Sequence, residues 1–309
     1  MQQQFSANGK LLLTGEYFVL DGAEAIALPT FLGQRLTVEE TIDTKNSLHW
    51  NSINHDGITW FSAIYNTDTF DIIFSDNDEL ALRLQQILLA TRQQNIDFLI
   101  GKSYTATTKL DFPNNWGLGS SSTLISLLAQ WANVDAFKLL QATFGGSGYD
   151  IACAEASTPI LYQVIDNKPI WKNVHFSPSF VNKLFFVFLN QKQNSRAEIA
   201  RYLQVKAEKK WNESILKYFK KINHVLLTTN TLTEFEFALN EHENIISTAL
   251  SFPKVKDLFF SDYVGSIKSL GAWGGDFVLA TAPESVEQSM QYFTEKGYTT
   301  IIPYTQLIR

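Results

Sequence analysis

The chain has 309 residues, which suits two medium domains or one large one. Apolar residues at 45%, aromatics at 13% and charged residues at 18% are enough for a dense core and exclude a chain disordered as a whole. A net charge of −6 with no basic block argues against nucleic acid or an anionic membrane as partner, so an anionic substrate has to be met by local donors rather than by the global field.

Taken in order, the opening MQQQFSANGK has no basic stretch followed by an apolar one, so no secretory signal is expected. No apolar run reaches the length of a membrane helix, and a cytoplasmic protein is expected. Lys10–Leu13 and Tyr17–Leu20 read as short strands around Thr14 and Gly15, and Arg35–Glu40 as another strand. Residues 45–75 mix Trp, Thr, Ile, Phe and Asn with Gly57 and suggest β-hairpins. From Asp78 to Gln94 the apolar period becomes helical through Leu80, Leu84, Ile87, Leu88 and Thr91, with Asp76 or Asp78 as the cap. Ser103–Leu110 alternates as a strand with Tyr104, Ala106, Thr108 and Leu110 on one face.

The segment Pro113-Asn-Asn-Trp-Gly-Leu-Gly-Ser-Ser-Ser122 then precedes a helical run from Thr123 to Ala132. Strand, glycine-rich loop and helix in this order form a phosphate cradle. Gly117 and Gly119 let backbone amides approach an anion, the helix start adds unpaired N–H groups and the positive end of its dipole, and Ser120, Ser121 and Ser122 add hydroxyls for phosphate or a metal ion. The plainer reading is a flexible turn with a Ser cap. No Lys follows the last glycine, so this is not a Walker A loop, and the spacing is wrong for a dinucleotide fingerprint.

A second loop, Phe144-Gly-Gly-Ser-Gly-Tyr-Asp150, leads into a helix over Ile151–Ala156. Asp150 is positioned to accept or steer a nucleophile's proton, or else simply caps that helix. Lys10, inside an apolar stretch beside Gly9, is the candidate cation to orient Asp150 and offset phosphate charge; the alternative is a solvated strand lysine. Cys153, the only cysteine, reads as a small core residue and permits no intrachain disulfide. Lys183–Leu189 reads as a strand and 195–270 as mostly helical, with Ser195 and Glu198 forming a capping box. A third loop, Gly271 to Asp276, opens the strand Phe277–Ala280, and its glycines allow packing against the phosphate loop or the substrate. Tyr298–Ile302 reads as the last strand. The shift in character near residue 180 divides the chain into domains 1–180 and 181–309.

The Lys10 segment and the first and third loops, in this order, resemble the motifs of the GHMP kinases, the superfamily of galactokinase, homoserine kinase, mevalonate kinase and phosphomevalonate kinase. The resemblance runs through Ala7-Asn8-Gly9-Lys10 to Gly15-Glu16-Tyr17, Pro113 to Ser122, and Gly271 to Asp276. It implies an α/β (α+β) protein of two domains, the first like ribosomal S5 domain 2 and the second ferredoxin-like. It also implies an ATP-dependent phosphotransferase using Mg2+ and acting on a small anionic metabolite, as a monomer or homodimer. Pro113, Gly117, Leu118, Gly119, Ser120, Ser121 and Ser122 would hold ATP, with Ser120 and Ser121 at the metal. Asp150 and Lys10 would be catalytic, and Glu16, Tyr17, Ser147, Gly148, Ser195, Arg196, Gly274, Gly275 and Asp276 would meet the substrate.

The segments Leu12–Leu20, Gly146–Ala152 and Gly274-Gly275-Asp276 are most similar to phosphomevalonate kinases, whereas Asp150 matches mevalonate kinases equally. Three positions depart from the pattern. Asn8 replaces a common Pro, Trp273 a common Gly, and Leu139 stands where mevalonate kinases place a magnesium-binding Glu. A non-catalytic binding module of the same fold, a sugar or amino-acid alcohol kinase, and a decarboxylating relative stay open.

Overall fold

The computed structural model describes residues 2–42, 45–191, 195–208, 214–271, 273 and 275–309. The chain forms two compact units. The first comprises residues 1–9, 32–114 and 118–155; the second comprises 10–31, 115–117 and 156–309. Two long strands, β1 (Gln2–Leu12) and β2 (Ala25–Thr41), contribute residues to both.

In the first unit, β3 (Ser47–Ile53), β4 (Thr59–Asn66), β5 (Ile72–Ser75) and β6 (Ser103–Leu110) join the second half of β2 in the order β5-β4-β3-β6-β2. All pairs are antiparallel except β3 with β6, whose parallel register requires the crossover through β4, β5 and helix α1 (Asp78–Gln94). Period-two alternation sends Leu48, Trp50, Phe61, Ala63, Tyr65 and Ala106 to one face. There they meet the apolar stripes of α1, α2 (Ser120–Ala132), α3 (Ala136–Thr143) and α4 (Tyr149–Glu155). The helical period expected over 78–94 is what buries Leu84, Ile87, Leu88 and Thr91. The cap of α1 is neither expected aspartate: Asn77 sits between them with extended backbone, and its side chain accepts the Leu80 N–H.

In the second unit, β7 (Ile160–Ile165) and β8 (Lys168–Asn173) form a hairpin beside Ala25–Ala27 of β2. Beyond it lies a four-stranded antiparallel sheet, β10 (Ile267–Ser269), β11 (Phe277–Thr281), β9 (Leu184–Phe188) and β12 (Ile301–Pro303), in that order. The uninterrupted apolar run of β9 is buried along its whole length because it is an inner strand covered on both faces. The helices are α5 (Ser195–Glu208), α6 (Ser214–Thr228), α7 (Leu232–Leu250), α8 (Val255–Phe259), α9 (Val286–Glu295) and α10 (Tyr304–Leu307). One core packs Phe185, Val187, Val278 and Ala280 against Val255, Phe260 and Phe293. Another gathers Tyr17, Phe18, Tyr202, Phe219, Ile246, Leu250 and Trp273.

Tyr17–Leu20 is not a strand. Gly15 and Tyr17 have φ of 80° and 62°, which turn the chain into a single 3-10 turn over Phe18–Asp21 closed by Gly22 at φ 85°. Burying Phe18 in the aromatic core outweighs the extended preference of a Tyr-Phe-Val run. Among the described residues no helix is long and apolar enough to cross a membrane.

Candidate functional site

Strand β6 ends in a loop that is anchored before it turns. The Asp111 N–H donates to the Gly33 carbonyl at 2.9 Å, and the side chains of Phe112 and Leu118 are buried. Pro113 is half-buried between these anchors. Gly119, left-handed at φ 91°, starts α2, and as the N-cap residue it offers the first-turn amides no side-chain acceptor of its own. Helix α2 is therefore held at its start by other bonds. Thr123 Oγ1 donates to Gln34 Oε1 at 2.6 Å, and Ser120 Oγ donates to Asn114 Oδ1 at 3.3 Å. Ser121 is exposed.

The loop before α4 reverses through Gly145, Gly146 and Gly148, all at positive φ. Gly148 is buried and its carbonyl accepts the first amides of α4, from Ile151 and Ala152; Ser147 precedes it, half-buried. Asp150 emerges half-buried from that first turn. Its Oδ1 accepts the Ile151 N–H at 3.1 Å and its Oδ2 accepts the Ser122 hydroxyl. Thus the first unit ties the last serine of the glycine-rich loop directly to Asp150, a link that spacing alone does not reveal. Leu139 of α3 is fully buried in the same core, and Cys153 is buried in α4 with its carbonyl accepting Asn8 Nδ2 at 3.4 Å.

Within the second unit, Lys10 Nζ donates to the Gly117 carbonyl at 2.8 Å, which fixes the lysine to the glycine-rich loop. Gly117 has φ of 67°, and a Cβ built on it would overlap the carboxylate of Asp276. The third loop thus meets the glycine-rich loop at this pair through the Asp276 side chain, where the sequence suggests its glycines. Asp276 is itself left-handed at φ 48° and is held by backbone bonds with Gln191 and Leu189, while Gly275 is buried. Trp116 packs its ring against Phe188 and Phe277, which seats residues 115–117 on the end of the four-stranded sheet. Gly274 lies outside the described residues. Ser195 and Arg196 open α5, but their side chains lie outside the described residues as well.

Glu16 and Tyr17 have interior partners in the second unit. The Glu16 carboxylate is ion-paired with Lys268, which also meets Glu243 at 3.2 Å. His242 Nε2 lies 3.3 Å from Glu16 Oε2 and accepts the Gly15 N–H at 2.9 Å. Burial pushes the Glu16 carboxyl up to about 7 against the opposing pull of Lys268, raises Glu243, and holds His242 well below the usual imidazole range. The Tyr17 hydroxyl accepts the Trp273 N–H at 2.9 Å, and the Trp273 indole donates to the Pro253 carbonyl at 2.7 Å. Trp273 therefore contributes to the aromatic core rather than protruding from its loop. Sequence reasoning missed the Lys268 cluster. The one available signal was a lysine inside the apolar run Ile267–Leu270.

No protein-family model and no curated protein matches the chain. Solved structures do match it over nearly their whole length. Mevalonate kinase of L. major in complex with R-mevalonate aligns with TM-score 0.65 at 16% identity, covering 99% of this chain and 96% of that one. Galactokinase of Lactococcus lactis complexed with galactose aligns with TM-score 0.70 at 14% identity over 98% and 94% of the two chains. Phosphomevalonate kinase of Streptococcus pneumoniae, in complex with phosphomevalonate and AMPPNP, aligns with TM-score 0.63 at 18% identity over 97% and 99%. The fold is that of the GHMP kinases, a mixed α/β architecture.

Proposed function

We propose that the protein is an ATP-dependent small-molecule kinase whose acceptor is 5-phosphomevalonate or mevalonate. The observation that carries this reading is the Ser122–Asp150 bond, which couples an uncapped, glycine-led helix start to a carboxylate in the first turn of a neighbouring helix.

In this reading the amides of Gly117 to Ser121 bind the nucleotide phosphates. Both glycines of the cradle have positive φ, and the N-cap glycine has no side chain to compete for the helix's first donors. Lys10, anchored on the Gly117 carbonyl, supplies positive charge at that residue of the loop. Ser120 and Ser121 present hydroxyl oxygens, a donor type suited to Mg2+, an ion that keeps water and phosphate oxygens in its shell. Mg2+, when bound, neutralises charge on the transferring phosphoryl group. Leu139, buried and without a ligand atom, adds nothing there. Asp150, oriented by Ser122, steers the acceptor oxygen. A phosphate acceptor is already ionised near neutral pH, so orientation is its main task. Positioning and electrostatics supply most of the catalysis in phosphoryl transfer, so the reading asks no covalent chemistry of these residues.

The deciding assay is phosphotransfer from magnesium-ATP to 5-phosphomevalonate and to mevalonate, with product analysis. A diphosphate or monophosphate product supports the reading, and CO2 release points to a decarboxylating relative. ATP binding with no transfer across a panel of metabolite alcohols and phosphates would replace it with the non-catalytic module, the alternative favoured by Leu139.

A further inference from the structure

The second unit carries an open surface cleft of about 380 Å³ that none of the residues discussed above lines; its lysines and histidines are exposed and its apolar side chains half-buried. One wall is the β7–β8 hairpin, where Lys172 stands opposite Leu161, continued by the Val174 N–H bond to the Pro159 carbonyl at 2.8 Å. The facing wall is α6, which presents Lys220 and His224 one turn apart. Glu24 completes the rim, with His175 following the hairpin. Between Lys220 and His224, the fully buried Asn223 binds both ways: its Nδ2 donates to the Glu24 carbonyl at 2.8 Å, and its Oδ1 accepts Thr14 Oγ1 at 2.6 Å. The rim segment and the helix are thereby fixed to one another.

The charge of this cleft is unbalanced. Among the described residues neither Lys172 nor Lys220 forms an ion pair, and Glu24, the single carboxylate on the rim, is paired with neither. Two ammonium groups and two imidazoles thus face a space of ligand size over an apolar floor of Leu161, Val174 and Leu227. Arrangements of this kind match an anion with a carbon body: charge-assisted bonds take the anion, and the floor takes the carbons.

We propose that this cleft binds a small phosphate ester with a short apolar body, with Lys172 and Lys220 clasping the phosphate, His224 and the Nδ1 of His175 donating to it (the His175 Nε2 is bonded to the Ser177 hydroxyl at 2.6 Å), and Leu161, Val174 and Leu227 receiving the carbon chain. The proposal depends on these side chains alone and is independent of Asp150 and the glycine-rich loop.

The probe is n-butyl phosphate, read by the imidazole NMR signals of His175 and His224 in the full chain, which report this cleft whatever the phosphate loop binds. The expected result is a saturable shift of both signals at millimolar or lower concentration. Butanol should leave them unmoved, and inorganic phosphate should bind more weakly. Lys172→Glu with Lys220→Glu should weaken binding roughly tenfold or more, the scale of a lost charge-assisted bond, with an unchanged melting temperature. Lys220→Gln gives the same reading with a smaller loss if the double variant folds poorly. Unmoved histidine signals, or the same shift in the lysine variants, overturns the site. Equal affinity for inorganic phosphate overturns the role of the apolar floor.

Discussion

The Ser122 hydroxyl donates to the carboxylate of Asp150, joining two helix starts that are 28 residues apart in the chain. Ser122 is the third residue of α2 and Asp150 the second of α4, so the bond fixes a side chain of the glycine-rich loop and a carboxylate in the same set of first turns.

Asp150→Asn keeps an acceptor for Ser122 but removes the charge. Turnover should fall by roughly 10²–10⁴-fold, the scale of a lost acid–base or orienting group, with the melting temperature unchanged. Ser122→Ala keeps the carboxylate and removes its orienting donor, so the loss should be smaller, roughly tenfold, and fall on kcat rather than KM. Steady-state kinetics with thermal melts on both variants check this; near-normal turnover in Asp150→Asn takes Asp150 out of the mechanism.

Gly117→Ala should be costly for two separable reasons. The new methyl group overlaps the Asp276 carboxylate, and the left-handed φ of 67° penalises any side chain. A loss of roughly 1–3 kcal/mol in folding stability is expected, together with weaker nucleotide binding. Adding Asp276→Ala should recover only part of the stability, because it relieves the overlap and leaves the backbone strain. Chemical denaturation across the double-mutant cycle measures the split, and complete recovery would show that strain at this residue is negligible.

The buried cluster around Lys268 should behave as a unit. Lys268, Glu16 and Glu243 have exposures of 0%, 1% and 2%. Lys268→Met leaves two carboxyl groups without their cation, and a loss of about 3–5 kcal/mol is expected from denaturant unfolding.

Its pH dependence has a definite sign. Glu16 holds its proton up to about 7 in the folded chain against an ordinary 4.5, so between those values the native state binds the proton that the unfolded state has released. Its contribution to stability therefore falls as pH rises through that window, and the raised Glu243 acts in the same direction. His242 acts oppositely: held neutral by burial, it costs stability as pH falls below 6.5. Glu16→Gln should lose its disadvantage, or gain in advantage, relative to the unmodified protein as pH rises from 4.5 to about 7, with no further change above that. Urea unfolding along that range tests it, and a constant difference would refute the proton held on Glu16.

Leu139→Glu places a carboxylate at the position where the sequence resemblance implies a metal ligand, but here the side chain is fully buried among the core residues of the first unit. An unpaired carboxylate there costs several kcal/mol, so loss of the folded state is expected rather than a gain of metal binding. Circular dichroism and melting with and without Mg2+ decide it; a folded variant stabilised by Mg2+ would contradict the packing of α3.

Sequence by itself determined the elements whose signals are local. The helix over 78–94 and the strand over 103–110 follow from apolar period, and the glycine-rich cradle from residues that must adopt left-handed backbone. Burial confirms the first two, and Gly117 and Gly119 do adopt left-handed backbone. Tertiary structure decided what depends on distant partners. The Phe18–Asp21 turn forms because an aromatic core assembled from α5, α6 and α7 receives Phe18. His242 receives the Gly15 amide from 227 residues away, and Lys268 is stable in the interior only because Glu16 and Glu243 arrive beside it. A residue's intrinsic preference is carried in its neighbours along the chain, but the free energy of burying a charge depends on which opposite charge folding brings to it. That information lies in the packing of the whole unit.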